Sequence, residues 1–291
     1  MVSHSVRCRK TNEIQEIKES KTALFLYNNI FGRLFARILA LRFISKLGGS
    51  YMNSKASKRM IPNFIKKNNI NMDDYPKQEY NNFNEFFIRE IDLKKRPIDK
   101  KGTSLISPAD SKLTVYPINE ESKFKIKNSY YQVKDLINDD IYQEYLNGQC
   151  LIFRLCVDDY HRYCYIDEGS HEAPTHIKGE LHTVRPIVLE HYNIYKRNSR
   201  TWTKLNTKNF GEVIHIEVGA LMVGKIHNHH QKHTFKKGEE KGYFLFGGST
   251  VVLLIKENQV TIDKDIIEAS SKDIETIVKF GETIGTKTKK K

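Results

Sequence analysis

The sequence lacks a Cys-x-x-Cys pair, a secretory signal pattern and a glycine-rich phosphate-binding loop. Its four cysteines are Cys8, Cys150, Cys156 and Cys164. Isolated cysteines without a secretory signal predict free thiols in a reducing cytoplasm. The missing glycine-rich loop leaves no obvious place for a phosphate-bearing cofactor.

The chain also lacks an uncharged apolar run of membrane-spanning length. Its most apolar early stretch runs from Ala23 to Leu47. Four basic residues interrupt it, namely Arg33, Arg37, Arg42 and Lys46. Because a spanning helix needs about 20 nearly uncharged residues, we expect no transmembrane segment.

The composition is that of a folded, basic protein. Hydrophobic residues make up 39% of the 291 residues, which is enough for a core. There are 48 Lys and Arg against 35 Asp and Glu, a formal net charge of +13. This surplus favours an anionic partner, either nucleic acid or acidic lipid.

The first third of the chain is predicted to be helical. The first 20 residues are polar, and we expect them to be frayed. From Ala23 to Gly48, apolar residues recur at helical spacing, and Gly48-Gly49 is the predicted stop. This helix either packs on the body of the protein or lies on an anionic membrane surface. Further helices are expected over Lys55–Lys67 and from Asn82.

After Arg96-Pro97 the pattern changes to short strands separated by turns. The predicted strands are Ser104–Ile106, Leu113–Tyr116, Leu151–Leu155, Val213–Val218, Thr250–Ile255 and Val260–Ile262, and a helical piece is expected over Tyr131–Leu146. The predicted fold class is α+β, an N-terminal helical segment followed by a largely antiparallel β body. The predicted domains are a membrane-associating segment 1–97, a catalytic domain 98–285 and a basic tail 286–291.

Four segments carry residues suited to chemistry. They are Ser107-Pro108-Ala109-Asp110, Asp159-Tyr160-His161-Arg162, the stretch from Val218 to Gly224, and the stretch from Lys241 to Thr250, which ends in Gly247-Gly248-Ser249-Thr250. In order and spacing they resemble the phosphatidylserine decarboxylase family, from about Phe83 to Gly285. The run Lys237–Phe244, the run Phe83–Phe87, Arg89 and Arg96-Pro97 strengthen the resemblance.

The residues themselves suggest an intramolecular attack. Two glycines before Ser249 permit strained, positive-φ backbone. The Ser249 hydroxyl could then attack the Gly248 carbonyl, with much of the entropy cost removed because the groups share one chain. A hydroxyl needs a base, and His161 has a suitable ordinary pKa, about 6.5. Asp110 could fix the His161 tautomer and stabilise the imidazolium.

The resemblance implies the rest of the chemistry. The chain would cleave between Gly248 and Ser249, and residue 249 would become a pyruvoyl group. That group would form a Schiff base with phosphatidylserine, and loss of CO2 would give phosphatidylethanolamine. Chains 1–248 and 249–291 would stay together as a heterodimer, bound peripherally on the cytoplasmic side of the cell membrane. No metal, external cofactor or nucleic-acid partner is expected.

One position departs from the family pattern. The family often has Tyr-His-Arg-x-His, whose second histidine commonly belongs to the self-processing triad, whereas this chain has Cys164 there. A thiol with its ordinary pKa of about 8.5 is a poor substitute. We favour the interpretation that His161 serves as the base in its own position and also in place of the missing second histidine. The alternatives are that Cys164 acts as a weak base or that processing is slow.

A non-processing lipid-binding module is the second hypothesis for function. A nucleic-acid-binding protein, the third, rests only on the net charge.

Two further clusters have simpler interpretations. His227, His229, His230 and His233 are expected in a solvated loop or hairpin, with adventitious metal binding as the alternative. Trp202 lies among basic residues, namely Arg197, Arg200, Lys204 and Lys208. For this stretch a solvated, partly lipid-facing loop is favoured over nucleic-acid binding.

Overall fold

The computed structural model describes residues 3–18, 24–25, 29, 31–32, 35, 42–119, 123–126, 129–179, 197–219, 226–247 and 249–289. Most of the helix predicted from Ala23 to Gly48 therefore lies outside the described residues. Gly248 and the stretch from Ala220 to Gly224 also lie outside them.

Strands make up most of the described secondary structure. They are β1 (Ser3–Cys8), β2 (Ile14–Lys18), β3 (Ser104–Ile106), β4 (Ser111–Pro117), β5 (Lys123–Ile126), β6 (Ser129–Gln132), β7 (Gln149–Leu155), β8 (Arg162–Cys164), β9 (Gly169–His171), β10 (Thr175–Ile177), β11 (Arg200–Thr207), β12 (Gly211–Val218), β13 (Ile226–Asn228), β14 (His233–Phe235), β15 (Glu240–Phe244), β16 (Ser249–Ile255), β17 (Val260–Ile262), β18 (Glu275–Val278) and β19 (Thr283–Lys287). All six strands predicted from the sequence are confirmed.

One large sheet organises the molecule. Its strand order is β14-β9-β11-β12-β16-β7-β4-β18-β1-β2, and β10 also pairs with β11. The sheet is mixed, because β1 and β18 pair in parallel with Val6 opposite Glu275. Smaller sheets have the orders β13-β15-β8, β17-β19-β3 and β5-β6.

Strand β16 lies in the middle of the large sheet, between β12 and β7. All of its residues are buried. Val251 and Leu253 belong to one hydrophobic cluster, and Val252 and Leu254 belong to another. Successive side chains of a strand point to opposite faces, so both faces of the sheet are covered here. This double burial explains why β16 is a continuous apolar run in the sequence.

The helices are short. They are α1 (Arg42–Met52), α2 (Ile61–Lys67), α3 (Phe83–Phe87), α4 (Val133–Ile137) and α5 (Lys264–Ser270), with 3₁₀ turns at Lys55–Met60, Met72–Asp74 and Asp140–Tyr145. These bounds confirm the helical structure predicted over Lys55–Lys67, from Asn82 and over most of Tyr131–Leu146. Asn82 caps α3, since its side chain accepts a hydrogen bond from the Glu85 backbone. No helix in the described ranges is long and apolar enough to cross a membrane.

The predicted fold class, α+β with an N-terminal helical segment, is wrong. The described chain is mostly β, and residues 3–18, which we expected to be frayed, form a hairpin on the large sheet. Only Val6 of this hairpin is deeply buried, at 1% exposure, so its sequence shows little apolar alternation. Arg9 instead holds the hairpin by ion pairs to Asp263, Asp265 and Glu282.

Two local predictions also fail. Helix α1 continues through Gly48-Gly49 to Met52, because a glycine costs a helix only about 1 kcal/mol and Met52 packs into an aromatic cluster. The stretch around Trp202 is strand β11 rather than a lipid-facing loop. Its Arg200 side chain is buried and donates hydrogen bonds to the carbonyls of Leu136 and Asp135.

Candidate active site

Ser249 begins strand β16 and is buried, with 1% of its surface exposed. Its hydroxyl oxygen has no hydrogen-bond partner within the described part of the chain. Gly247, two residues earlier, has a φ of +144°, a conformation that residues with a side chain rarely adopt. The positive-φ backbone expected before Ser249 is therefore present at Gly247.

His161 lies in the same corner of the molecule as the chain that leads to Ser249. Its carbonyl accepts a hydrogen bond of 2.9 Å from the Phe244 backbone N–H, at the end of β15. Its ring packs on Phe87 with centroids 4.1 Å apart, and Phe87 packs on Phe246 at 5.1 Å. Aromatic side chains thus wall the imidazole off from water.

One nitrogen of His161 carries a free lone pair. Nδ1 lies 2.8 Å from the Asp159 carbonyl oxygen, and because a carbonyl only accepts, Nδ1 must carry the proton. Nε2 is therefore the unprotonated nitrogen, and it is buried without a partner among the described residues. Burial lowers the pKa of His161 to about 4, although the Asp159 charge acts in the opposite direction. At neutral pH the imidazole is therefore unprotonated, and Nε2 is available to accept a proton.

A buried ion pair shapes the loop before His161. Asp159 Oδ2 accepts hydrogen bonds from Lys112 Nζ at 2.6 Å and from the Cys156 backbone N–H at 2.7 Å. Burial acts to raise the pKa of Asp159, but the Lys112 ammonium more than offsets it and the pKa is lowered. The pair therefore keeps Asp159 charged, and its hydrogen bonds hold the loop whose carbonyl fixes the His161 tautomer.

Asp110 is held by a different set of groups. Its carboxylate accepts hydrogen bonds from Arg96 at 2.7 Å, the Phe280 backbone N–H at 2.7 Å and Lys279 at 3.3 Å. Within the described residues, no hydrogen bond joins Asp110 to His161. The structure therefore brings Phe244 and Phe246, in the chain that leads to Ser249, close to His161. It assigns the tautomer-fixing contact to the Asp159 carbonyl.

Comparisons with known proteins place the chain in a family. The sequence model of the family described as phosphatidylserine decarboxylase matches residues 83–286. The chain belongs to the phosphatidylserine decarboxylase family. It is 51% identical to "Phosphatidylserine decarboxylase proenzyme 2" of Clostridium acetobutylicum, over 95% of this chain and 96% of that protein. It is 41% and 39% identical to the proenzymes of Clostridium kluyveri and Clostridium tetani, over 99% of each chain compared.

These findings confirm the sequence-based prediction that the chain is a phosphatidylserine decarboxylase. The family match also begins and ends within a residue of the resemblance identified from Phe83 to Gly285. Cys164, the departure from the family's histidine, lies in an apolar cluster, and its backbone N–H donates to the Pro108 carbonyl at 2.9 Å. Burial raises the pKa of the Cys164 thiol, so it stays protonated and is a poor base.

Neither Lys112 nor the role of Asp159 in this decarboxylase was predicted from the sequence. Both His161 and Asp159 are buried. The available signal was Lys112, a lysine inside the β4 run beside Leu113. No sequence rule links it to an aspartate 47 residues away, because only the pairing of β4 with β7 brings the two together.

Proposed function

We propose that this chain is a self-processing, pyruvoyl-dependent phosphatidylserine decarboxylase, cleaved between Gly248 and Ser249. The observation that carries the proposal is the packing of Phe246, shortly before Ser249 in the chain, on Phe87 beside the ring of a neutral His161. Ser249 Oγ and His161 Nε2 are both buried without a partner among the described residues. The positive φ of Gly247 supports it. The relatives named as proenzymes support processing.

In the proposed first step, His161 Nε2 accepts the Ser249 hydroxyl proton as Oγ attacks the Gly248 carbonyl carbon. The peptide C–N bond then breaks, the nitrogen of residue 249 takes up a proton, and an ester joins Gly248 to the serine oxygen. Loss of the α-proton of residue 249 breaks the Cβ–O bond and leaves Gly248 as a carboxylate. Addition of one water then releases ammonia and leaves a keto group at residue 249.

The residues around Ser249 fit such a group, because the position is buried and His161 offers a single unprotonated nitrogen. The keto group supplies an electron sink when CO2 leaves the bound substrate. In the proposal, His161 holds the proton and returns it to the substrate carbon after CO2 has left. Cys164, with its protonated thiol, takes no part in the proposed proton transfers.

A cavity on the Asp110 side, whose lining includes neither Ser249 nor His161, is a candidate for the route by which the serine headgroup approaches the site. It has a volume of about 580 Å³, and its lining includes Asp110, Asp159, Arg96 and Lys279. Charges of both signs suit a headgroup that carries an ammonium group together with a carboxylate and a phosphate. Arg96 and Lys279 hold the Asp110 carboxylate at the edge of this cavity.

Peripheral membrane binding on the cytoplasmic side is part of the proposal, with residues 1–97 as the contacting segment and 98–285 as the catalytic domain. Several large apolar side chains of this segment are exposed, namely Phe25, Phe31, Phe35, Leu47 and Tyr51. Together with the net charge of +13, they favour an anionic lipid surface. Sedimentation with vesicles should show binding that increases with the fraction of phosphatidylserine, whereas no preference over neutral lipid would contradict this part.

Intact mass spectrometry of the purified protein tests the central step. We expect a fragment of residues 249–291, which is 43 residues, lighter by one ammonia than the same peptide with an N-terminal serine. Ser249→Ala removes the nucleophile and should give one uncleaved, inactive chain. Thr203→Val is a matched control, since Thr203 is another buried hydroxyl without a partner among the described residues, and this variant should cleave.

The same experiment separates the two hypotheses for function. A wild-type chain that stays whole and still decarboxylates its substrate would refute the proposed mechanism. A whole chain that binds lipid vesicles without turnover would favour the lipid-binding module instead.

A further inference from the structure

A cluster of two histidines and one glutamate lies apart from the proposed reaction site. His230, His233 and Glu239 each offer one ligand atom, and these atoms lie within 4.8 Å of one another. The two imidazole rings stack with centroids 3.9 Å apart, and His233 Nε2 lies 2.5 Å from Glu239 Oε1. Two imidazole nitrogens and one carboxylate oxygen form the donor set of an open His₂Glu zinc site.

The backbone already holds Glu239 in position. Its Oε2 accepts a hydrogen bond of 2.9 Å from the Lys236 backbone N–H, and its own N–H donates to the Lys236 carbonyl. Gly238 completes this turn with a φ of +74°, and a Cβ at Gly238 would lie only 2.7 Å from Ile98. The turn therefore directs Glu239 Oε1 toward His233 before any cation arrives.

The neighbouring His171 and His229 side chains have other partners, so we do not count them among the ligands. Both ring nitrogens of His171 are hydrogen bonded, one to the Tyr165 hydroxyl and one to the Glu172 carbonyl. His229 contacts Glu240, whose carboxylate also binds an arginine. The donor set is therefore His230, His233 and Glu239.

A second group with metal-ligating side chains does not compete. Cys156, Asp158 and Asp159 also offer ligand atoms within 4.8 Å of one another. Asp159, however, is already bound by the Lys112 ammonium, which would repel a cation, and burial raises the pKa of the Cys156 thiol.

We propose that His230, His233 and Glu239 bind one divalent cation of the zinc class, with a further coordination position left for water. Ligands about 2.0–2.2 Å from a tetrahedral zinc lie about 3.4 Å apart. Because the His230 and His233 rings are stacked, one of them must rotate out of the stack to direct its nitrogen at the same ion. The cation would join the loop before β14 to the turn before β15, the strand that leads toward Ser249. The sequence favoured a solvated loop for these histidines and no bound metal, so this proposal takes up the alternative of metal binding.

Calorimetric titration of the processed, chelator-treated protein with Zn²⁺ tests the proposal. We expect one ion per protein, and at least about tenfold weaker binding in His230→Ala and Glu239→Gln, since even outer-shell changes weaken metal sites by about 10–100-fold. Both residues are only half-buried, so the variants should fold. His229→Ala is the matched control, a histidine of the same loop, and should bind Zn²⁺ as the wild type does.

Substitution with Co²⁺ supplies an independent readout, because a tetrahedral cobalt site absorbs visible light strongly. That absorption should disappear in His230→Ala and remain in His229→Ala. If His229→Ala weakens Zn²⁺ binding as much as His230→Ala does, binding is a diffuse property of the histidine run and the proposal is wrong. Absence of binding below millimolar Zn²⁺ would also overturn it and leave His233 and Glu239 as an ion pair.

Discussion

The protonation state of His161 follows from the different surroundings of its two ring nitrogens. Nδ1 donates to a backbone carbonyl that the chain cannot withdraw without breaking the Lys112–Asp159 pair. Nε2 is buried without a partner in the described structure. An unpaired buried acceptor costs free energy, and the proposed proton transfer gives this one a role.

The low pKa of His161 predicts how self-cleavage depends on pH. Because burial lowers this pKa to about 4, the imidazole stays unprotonated well below its ordinary value of 6.5. Precursor from cell-free translation, shifted to a series of buffers, should be cleaved to the 249–291 chain at a constant rate down to about pH 5, as measured on denaturing gels. A half-maximal cleavage rate near pH 6.5 would instead indicate a solvated histidine.

Stability should show the same shift. Between pH 6.5 and about 4 the unfolded chain binds a proton at this histidine that the folded chain does not. His161 therefore contributes stability above pH 6.5 that is lost as the pH falls through this interval. Urea midpoints of uncleaved Ser249→Ala protein should fall over this range, and less so when His161→Gln is added.

Removing Lys112 tests the buried ion pair. Lys112→Met leaves Asp159 buried without its cation, so we expect a loss of about 3–5 kcal/mol in the free energy of unfolding. The comparison is Lys208→Met, which breaks the exposed pair with Glu168 and should cost far less, because solvent screens an exposed ion pair. Urea unfolding in the Ser249→Ala background measures both, and equal losses would contradict the special role of Lys112.

At the scale of the element, β16 depends on both faces of the sheet. Leu253→Ala removes a fully buried side chain from the middle strand, and we expect a loss of about 2–5 kcal/mol. Ile267→Ala on α5 is the control, since Ile267 is 40% exposed, and should cost far less. Unfolding curves that shift equally for the two variants would show that β16 is not central to stability.

The sequence predicts elements well where burial leaves a pattern and poorly where charges do the anchoring. Strand β16 and the motif ahead of it were predictable because a continuous apolar run follows two glycines. The hairpin of residues 3–18 was not, because Arg9 and its acidic partners lie more than 250 residues apart. The Lys112–Asp159 pair was missed for the same reason, since neither residue signals its partner in the sequence.

At the scale of the whole molecule, cleavage should not release the short chain. Residues 249–291 would supply β16 between β12 and β7, β18 between β4 and β1, and β19 between β17 and β3. Chains 1–248 and 249–291 should therefore elute together in native gel filtration and separate only in denaturant. Loss of the 43-residue chain under native conditions would contradict the proposed heterodimer.

Lys279 and Phe280 donate hydrogen bonds to Asp110, and these bonds affect when the protein can mature. A nascent polypeptide whose C-terminal residues still occupy the ribosomal tunnel exposes the scissile junction before these late partners. If Asp110 contributes to self-cleavage, chains released from the ribosome that end before Lys279 will accumulate intact. The protein would then be cut only once its synthesis is complete.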